Sequence, residues 1–187
     1  MDRQPAGPCI VTVPNAISLA RLFAVPVAVW LVLIAQWRSA FWLFLAAGLS
    51  DALDGWIARR GARSRLGAVL DPLADKLLLA CMYVVLAATR LLPEWLAILV
   101  VFRDLLIVGG IALLAYLGHV VPIAPLPLSK ANTAAQIALV ALTLCCASFG
   151  WKRPPGFSLL VAAVAATTLS SGAAYLWREA AGTGHHV

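Results

Sequence analysis

The chain has 187 residues, of which 63% are hydrophobic and only 12% charged, with a mean hydropathy of +0.93 and a formal net charge of +6. A water-soluble domain is about half apolar, so this composition excludes that class and predicts an all-α polytopic membrane protein. At roughly 20 residues per span, the length allows about six transmembrane helices and no separate soluble domain.

The 14 basic residues, 11 of them Arg, gather at the ends of apolar runs. That pattern suits anionic lipid headgroups and topology control, and it lacks the exposed basic face with interleaved aromatics that nucleic acid requires. Cys9, Cys81, Cys145 and Cys146 have no metal-knuckle or disulfide spacing. The first dozen residues are too short and Pro-rich for a cleavable signal, so the first apolar run is expected to stay as a membrane helix.

Span one is predicted over 14–35, opening at Pro14, with Asn15, Ser18 and Arg21 on roughly one face. Span two follows the interfacial cluster Gln36, Trp37 and Arg38 and runs to about Arg59. Its second half places Asp51, Asp54, Gly55, Ala58 and Arg59 on one stripe, where the small residues allow close approach. The basic connection Arg60 to Arg65 leads to span three, 66–88, which carries Gly67, Asp71 and Asp75 at four-residue steps. Pro72 lies inside that span and is expected to bend it.

Span four, 93–117, contains the adjacent pair Arg103 and Asp104, whose side chains should leave the helix in different directions. A turn with His119, Pro122, Pro125 and Pro127 leads to span five, 129–148, whose first turns hold Lys130, Asn132, Thr133 and Gln136. Span six, 156–177, ends on the anchor Tyr175, Trp177 and Arg178. The expected organisation is a single membrane domain over 1–187 with short tails at about 1–12 and 179–187. With both ends cytoplasmic, the inner connections carry seven basic residues and the outer ones four. The positive-inside rule then places the acid-bearing helix ends at the cytoplasmic face.

Asp51, Asp54, Asp71 and Asp75 are half of the eight acidic residues and lie between apolar runs. Ionised carboxylates at such depth are costly unless they share a cation or a wet cavity. All-oxygen ligation without His or Cys selects Mg²⁺ or Mn²⁺, which are commonly shared with substrate phosphates. The residues therefore predict a metal-dependent site for a phosphorylated substrate.

The pattern Asp51-x2-Asp54-Gly55-x2-Ala58-Arg59-x7-Gly67-x3-Asp71-x3-Asp75 is similar, at every position, to the signature of the class I CDP-alcohol phosphatidyltransferases. The resemblance implies a six-helix membrane enzyme, usually a homodimer, that moves a phosphatidyl group from CDP-diacylglycerol to an alcohol and releases CMP. It implies Asp51, Asp54, Asp71 and Asp75 as metal ligands, Asp75 also as the general base, and Gly55, Ala58, Arg59 and Gly67 as the cytidine diphosphate cradle. Thr12 to Leu22, Leu66 to Leu79, Arg103-Asp104 and Ser129 to Gln136 resemble the cardiolipin synthases of the family, whose acceptor is phosphatidylglycerol. The phosphatidylglycerophosphate synthases, which use glycerol 3-phosphate and more often show Arg-Glu, are the next resemblance. Asn15, Arg21, Arg103, Lys130 and Asn132 are the candidates for acceptor or headgroup binding.

An Arg-rich, Lys-poor chain of this kind is expected in a bacterial cytoplasmic membrane. Two other readings compete. An ion-coupled transporter would also hold acids in its spans, but it leaves the spaced signature unexplained and no internal repeat is found. Acids that merely glue helices would need more bases than Arg59 and Lys76 for four carboxylates.

Overall fold

A computed structural model of the protein describes residues 13–58, 67–116 and 127–182, with side chains over 20–50, 74–110 and 130–173. Six helices fill these stretches: α1 (Val13–Leu33), α2 (Trp37–Ala58), α3 (Gly67–Ala88), α4 (Glu94–Tyr116), α5 (Pro127–Phe149) and α6 (Phe157–Gly182). Outside the short connections the described residues are helical, and each predicted span is matched by one helix. The differences lie at the ends: α5 starts on Pro127, a residue suited to a first turn, and α6 continues through the expected anchor to Gly182. The helix α3 runs unbroken through Pro72, and α1 runs through Pro26. Each proline deletes one backbone donor while neighbouring turns keep the helix together.

Three of the short connections lie at one end of the bundle and share a way of stopping a helix. After α1 the Gln36 amide donates to the Leu31 carbonyl at 2.9 Å and the Ala35 amide to Val32 at 3.0 Å, with Ala35 at φ 58°. After α3 the Leu91 amide donates to Leu86 and the Arg90 amide to Ala87, both at 2.9 Å, with Arg90 at φ 62°. After α5 Gly150 takes φ 65° and the Trp151 amide reaches the Cys146 carbonyl at 3.0 Å. These are Schellman-type closures, in which a left-handed residue folds the chain back onto the carbonyls that the helix end leaves unpaired. Glycine suits the position, while Ala35 and Arg90 carry the cost of a Cβ there.

The helices pack in a ring whose order is not that of the chain. Contacts run α1 to α2, α2 to α5, α5 to α6, α6 to α4, α4 to α3 and α3 back to α1, and a further contact between α3 and α5 crosses the middle. Tyr83 marks that crossing: it is fully buried, and its hydroxyl donates to the Gln136 carbonyl at 3.3 Å. Around it the core is built from Ala28, Val32, Met82, Leu86, Leu96, Val100, Leu139, Leu144 and Val164. Small residues such as Ala28, Ala40 and Ala74 let neighbouring helices approach.

The outward faces are apolar as well. Phe23 is 70% exposed, Ile98 69% and Leu159 74%, and Trp30, Trp42 and Phe102 are also exposed. Water does not favour such a surface over a whole bundle, whereas hydrocarbon does. Among the described residues Lys130–Phe149 is the one helical stretch long and apolar enough by itself to cross a membrane; Ala20–Leu33 and Phe157–Ala173 are shorter apolar stretches.

Candidate active site

Away from the tight turns, toward the middle of the bundle, charged side chains of different helices meet. Arg21 on α1 and Asp75 on α3 each lie eight residues from the start of their helix, about 12 Å along it. Because these two helices are neighbours in the ring, the residues face each other: Arg21 Nη1 donates to Asp75 Oδ1 at 2.6 Å. The guanidinium side chain is 3% exposed and the carboxylate 34%. A charge-assisted contact of this length is strong, and it compensates a cation that would otherwise be stranded in apolar surroundings.

The next residue, Lys76, links α3 to α4. Its Nζ lies 3.5 Å from Asp104 Oδ1, and Arg103 Nη1 donates to the same oxygen at 2.6 Å. Neighbours on a helix ordinarily diverge, as expected above, yet the long arginine stem curls back far enough to reach the following carboxylate. Arg103 Nη2 also donates to Ser171 Oγ on α6 at 2.6 Å, and the arginine stem passes 3.8 Å from the place a Cβ would take on Gly172. The guanidinium is thereby fixed between α4 and α6, with Arg103 and Asp104 both buried.

One further polar seam joins α5 to α6. Asn132 is fully buried, and its Oδ1 accepts from Thr167 at 2.9 Å and Thr168 at 3.0 Å. Gln136, one turn on, is buried against α3 through its own backbone carbonyl. The amide nitrogens of Asn132 and Gln136 have no hydrogen-bond partner among the described residues. Lys130, at the start of α5, is exposed.

Of the residues expected from the sequence, the structure thus brings Arg21 to Asp75, and sets Arg103 among Asp104, Lys76 and Ser171. Asn132 lies inside the α5–α6 seam. Asp51, Asp54, Gly55 and Ala58 fall in the last turns of α2, Gly67 and Asp71 at the beginning of α3, and Asn15 at the beginning of α1. Their side chains, and Arg59 altogether, lie outside the described residues. Among the described side chains no group of three or more potential metal ligands forms. Ser171, Thr167 and Thr168 were not singled out in the sequence. Their signal was a run of hydroxyls, Thr167, Thr168, Ser170 and Ser171, in an otherwise Ala-rich helix.

The donor chemistry fits a hard divalent cation. Asp75 presents a partly exposed carboxylate beside the Arg21 guanidinium, and the other three acids of the signature add oxygen donors alone.

Residues 11–171 match the sequence profile described as CDP-alcohol phosphatidyltransferase. The chain belongs to that family. It is 34% identical over 181 residues to the human CMP-forming cardiolipin synthase, a match that takes in 88% of this chain and 60% of the relative. It is 36% identical over 181 residues to the chloroplastic CDP-diacylglycerol–glycerol-3-phosphate 3-phosphatidyltransferase 1 of Oryza sativa subsp. japonica, with 87% of this chain and 55% of the relative covered. The CMP-forming cardiolipin synthase of Streptomyces coelicolor is 36% identical over 120 residues, covering 60% of this chain and 56% of the relative. The chain therefore spans little more than half the length of the curated relatives it matches. Family membership accounts for the spaced acidic pattern of the sequence, and it leaves the transporter reading without a feature of its own.

Proposed function

We propose that the protein is a membrane phospholipid synthase that transfers a phosphatidyl group from CDP-diacylglycerol to phosphatidylglycerol, forming cardiolipin and releasing CMP. The observation that carries this reading is the pairing of Asp75, last acid of a complete family signature, with a buried arginine, beside a second charged cluster built on Arg103. In the reaction a hydroxyl oxygen of the acceptor attacks the phosphatidyl phosphorus, the bond from that phosphorus to the bridging oxygen breaks, and CMP leaves with the bridging oxygen. Asp75 takes the proton of the attacking hydroxyl, which requires hydrogen-bond reach to it. Asp51, Asp54, Asp71 and Asp75 would hold Mg²⁺ or Mn²⁺, whose charge would neutralise the pyrophosphate and the departing CMP. Gly55, Ala58, Arg59 and Gly67 form the cradle for the cytidine diphosphate group.

The acceptor side is assigned to Arg103, Lys130 and, through the shape of the α5–α6 seam, Asn132, with Asn15 at the entrance of α1. A guanidinium locked by Asp104 and Ser171 is pre-organised to receive a phosphate, and pre-organisation lowers the ordering cost of binding. Six membrane-spanning helices, an active site facing the cytoplasm of a bacterial cell and a homodimer complete the proposal as one domain. The exposed apolar side chains of α1, α2, α4 and α6 support the spanning arrangement.

Glycerol 3-phosphate is the second acceptor to be weighed, favoured by the similarity to the rice enzyme. The deciding experiment incubates purified protein and CDP-diacylglycerol, with Mg²⁺ or Mn²⁺, with each acceptor side by side and follows CMP. Cardiolipin formation from phosphatidylglycerol is the expected result. Consumption of glycerol 3-phosphate alone would reject the acceptor, and no CMP release with either would reject the activity.

A further inference from the structure

Arg21 enters the sequence reading as an acceptor contact, yet its geometry gives it a different task. It sits on α1, outside the acidic signature, with its side chain all but sealed from solvent, and it spends Nη1 on the carboxylate assigned as base and metal ligand. A guanidinium stays charged at every accessible pH. The ion pair thus sets a permanent positive charge within hydrogen-bond distance of an oxygen that a divalent cation would also seek.

We infer that Arg21 is a positioning residue that orients Asp75 for proton removal and competes with the divalent cation for its carboxylate. The inference rests on the assignment of Asp75 proposed above. Two consequences have opposite signs. Removing the charge takes away repulsion of a divalent ion, so binding of the ion tightens. Removing the contact frees the carboxylate to rotate, so turnover falls, because small misplacements of a reacting group are costly. A residue that only held α1 against α3 would lower turnover and loosen or preserve ion binding.

The test uses the full chain in detergent micelles, with Mn²⁺ as the probe. Binding is read from the electron paramagnetic resonance signal of free Mn²⁺ without any lipid substrate, and turnover is read separately as CMP release. Arg21→Gln is expected to bind Mn²⁺ about tenfold more tightly, equivalent to about 1.4 kcal/mol. The same variant is expected to lose roughly ten- to a hundredfold in kcat. Arg21→Lys, which keeps the charge without the planar fork, should hold Mn²⁺ affinity within about threefold and recover part of kcat.

Unchanged or weaker Mn²⁺ binding in a folded Arg21→Gln variant would overturn the inference. If that variant fails to fold, Arg21→Met takes its place: tighter Mn²⁺ binding with lowered turnover supports the inference, and unchanged or weaker binding, or wild-type turnover in Arg21→Lys, overturns it. Asp75→Asn separates this inference from the one beneath it. Weakened Mn²⁺ binding in Asp75→Asn, with no change in Arg21→Gln, removes the role of Arg21 alone. Unchanged binding in Asp75→Asn removes the ligand assignment and the inference together.

Discussion

The short-turn end of the bundle and its interior use the same residue types for different tasks. At the end with the short turns, apart from the exposed Arg90–Glu94 ion pair at 3.5 Å, polar side chains bond to backbone. Arg153 Nη2 donates to the Leu91 carbonyl at 2.7 Å, and Arg38 Nε to the Ser148 carbonyl at 3.2 Å. The Ser148 hydroxyl lies 2.9 Å from the Trp37 carbonyl. These arginines also stack on aromatic rings, Arg153 at 4.9 Å from the Phe157 centroid and Arg38 at 5.9 Å from that of Phe149. Deeper in the bundle Arg21, Lys76, Arg103 and their acids bond to side chains of other helices. Contacts with backbone finish helix ends, so they serve the fold. Charges paired with side chains of other helices, in apolar surroundings, are a costly way to hold helices together and are the natural candidates for a functional site.

Substitutions should separate the two regions cleanly. The largest effect is expected for Asp75→Asn, which should lower CMP release at least about a hundredfold while the far-ultraviolet circular dichroism stays that of the native helix bundle. Chelation of divalent ions should likewise abolish CMP release, and added Mg²⁺ or Mn²⁺ should restore it. Next comes Arg103→Gln, where the loss of a locked phosphate partner should raise the KM for the acceptor about tenfold and leave that for CDP-diacylglycerol little changed. An equal rise in both constants would place Arg103 outside the acceptor site.

At the short-turn end the readout should shift from kinetics to stability. Arg153→Ala should cost about 1 kcal/mol of stability in a thermal or denaturant melt, through the lost carbonyl contact and ring stacking, with turnover unaltered. Ala35→Gly should stabilise slightly, by about 0.5 kcal/mol, because the left-handed closure no longer carries a Cβ. A loss of turnover in either variant would show that the two regions are coupled more tightly than the contacts imply.

Most of the architecture was legible because apolar runs of helix-spanning length are separated by Pro, Gly and basic clusters, and each run became one helix. The acidic signature was legible because fixed spacings carry more information than composition. Pairings between helices were not. Nothing in the local sequence says that α2 neighbours α5 or that α4 neighbours α6, so the bond from Arg103 to Ser171 could not be read from either segment. Arg103 with Asp104 was misjudged for a related reason. Helix periodicity describes where Cβ atoms point, and a four-atom arginine stem can undo that direction. The sequence offers Arg21 as a candidate acceptor or headgroup contact, and its pairing with Asp75 is visible only through the α1–α3 contact.

The ring order has a consequence for synthesis of the protein. Its neighbours are completed late: α2 waits for α5, and α4 for α6. As the chain emerges from the ribosome, the first four helices hold the whole acidic signature, while the hydroxyl of Ser171 that steadies Arg103 is still unmade. Addition of α6 closes the ring and fixes Arg103 at once, so a nascent chain carries the four acids of the signature before it carries the bond that steadies Arg103.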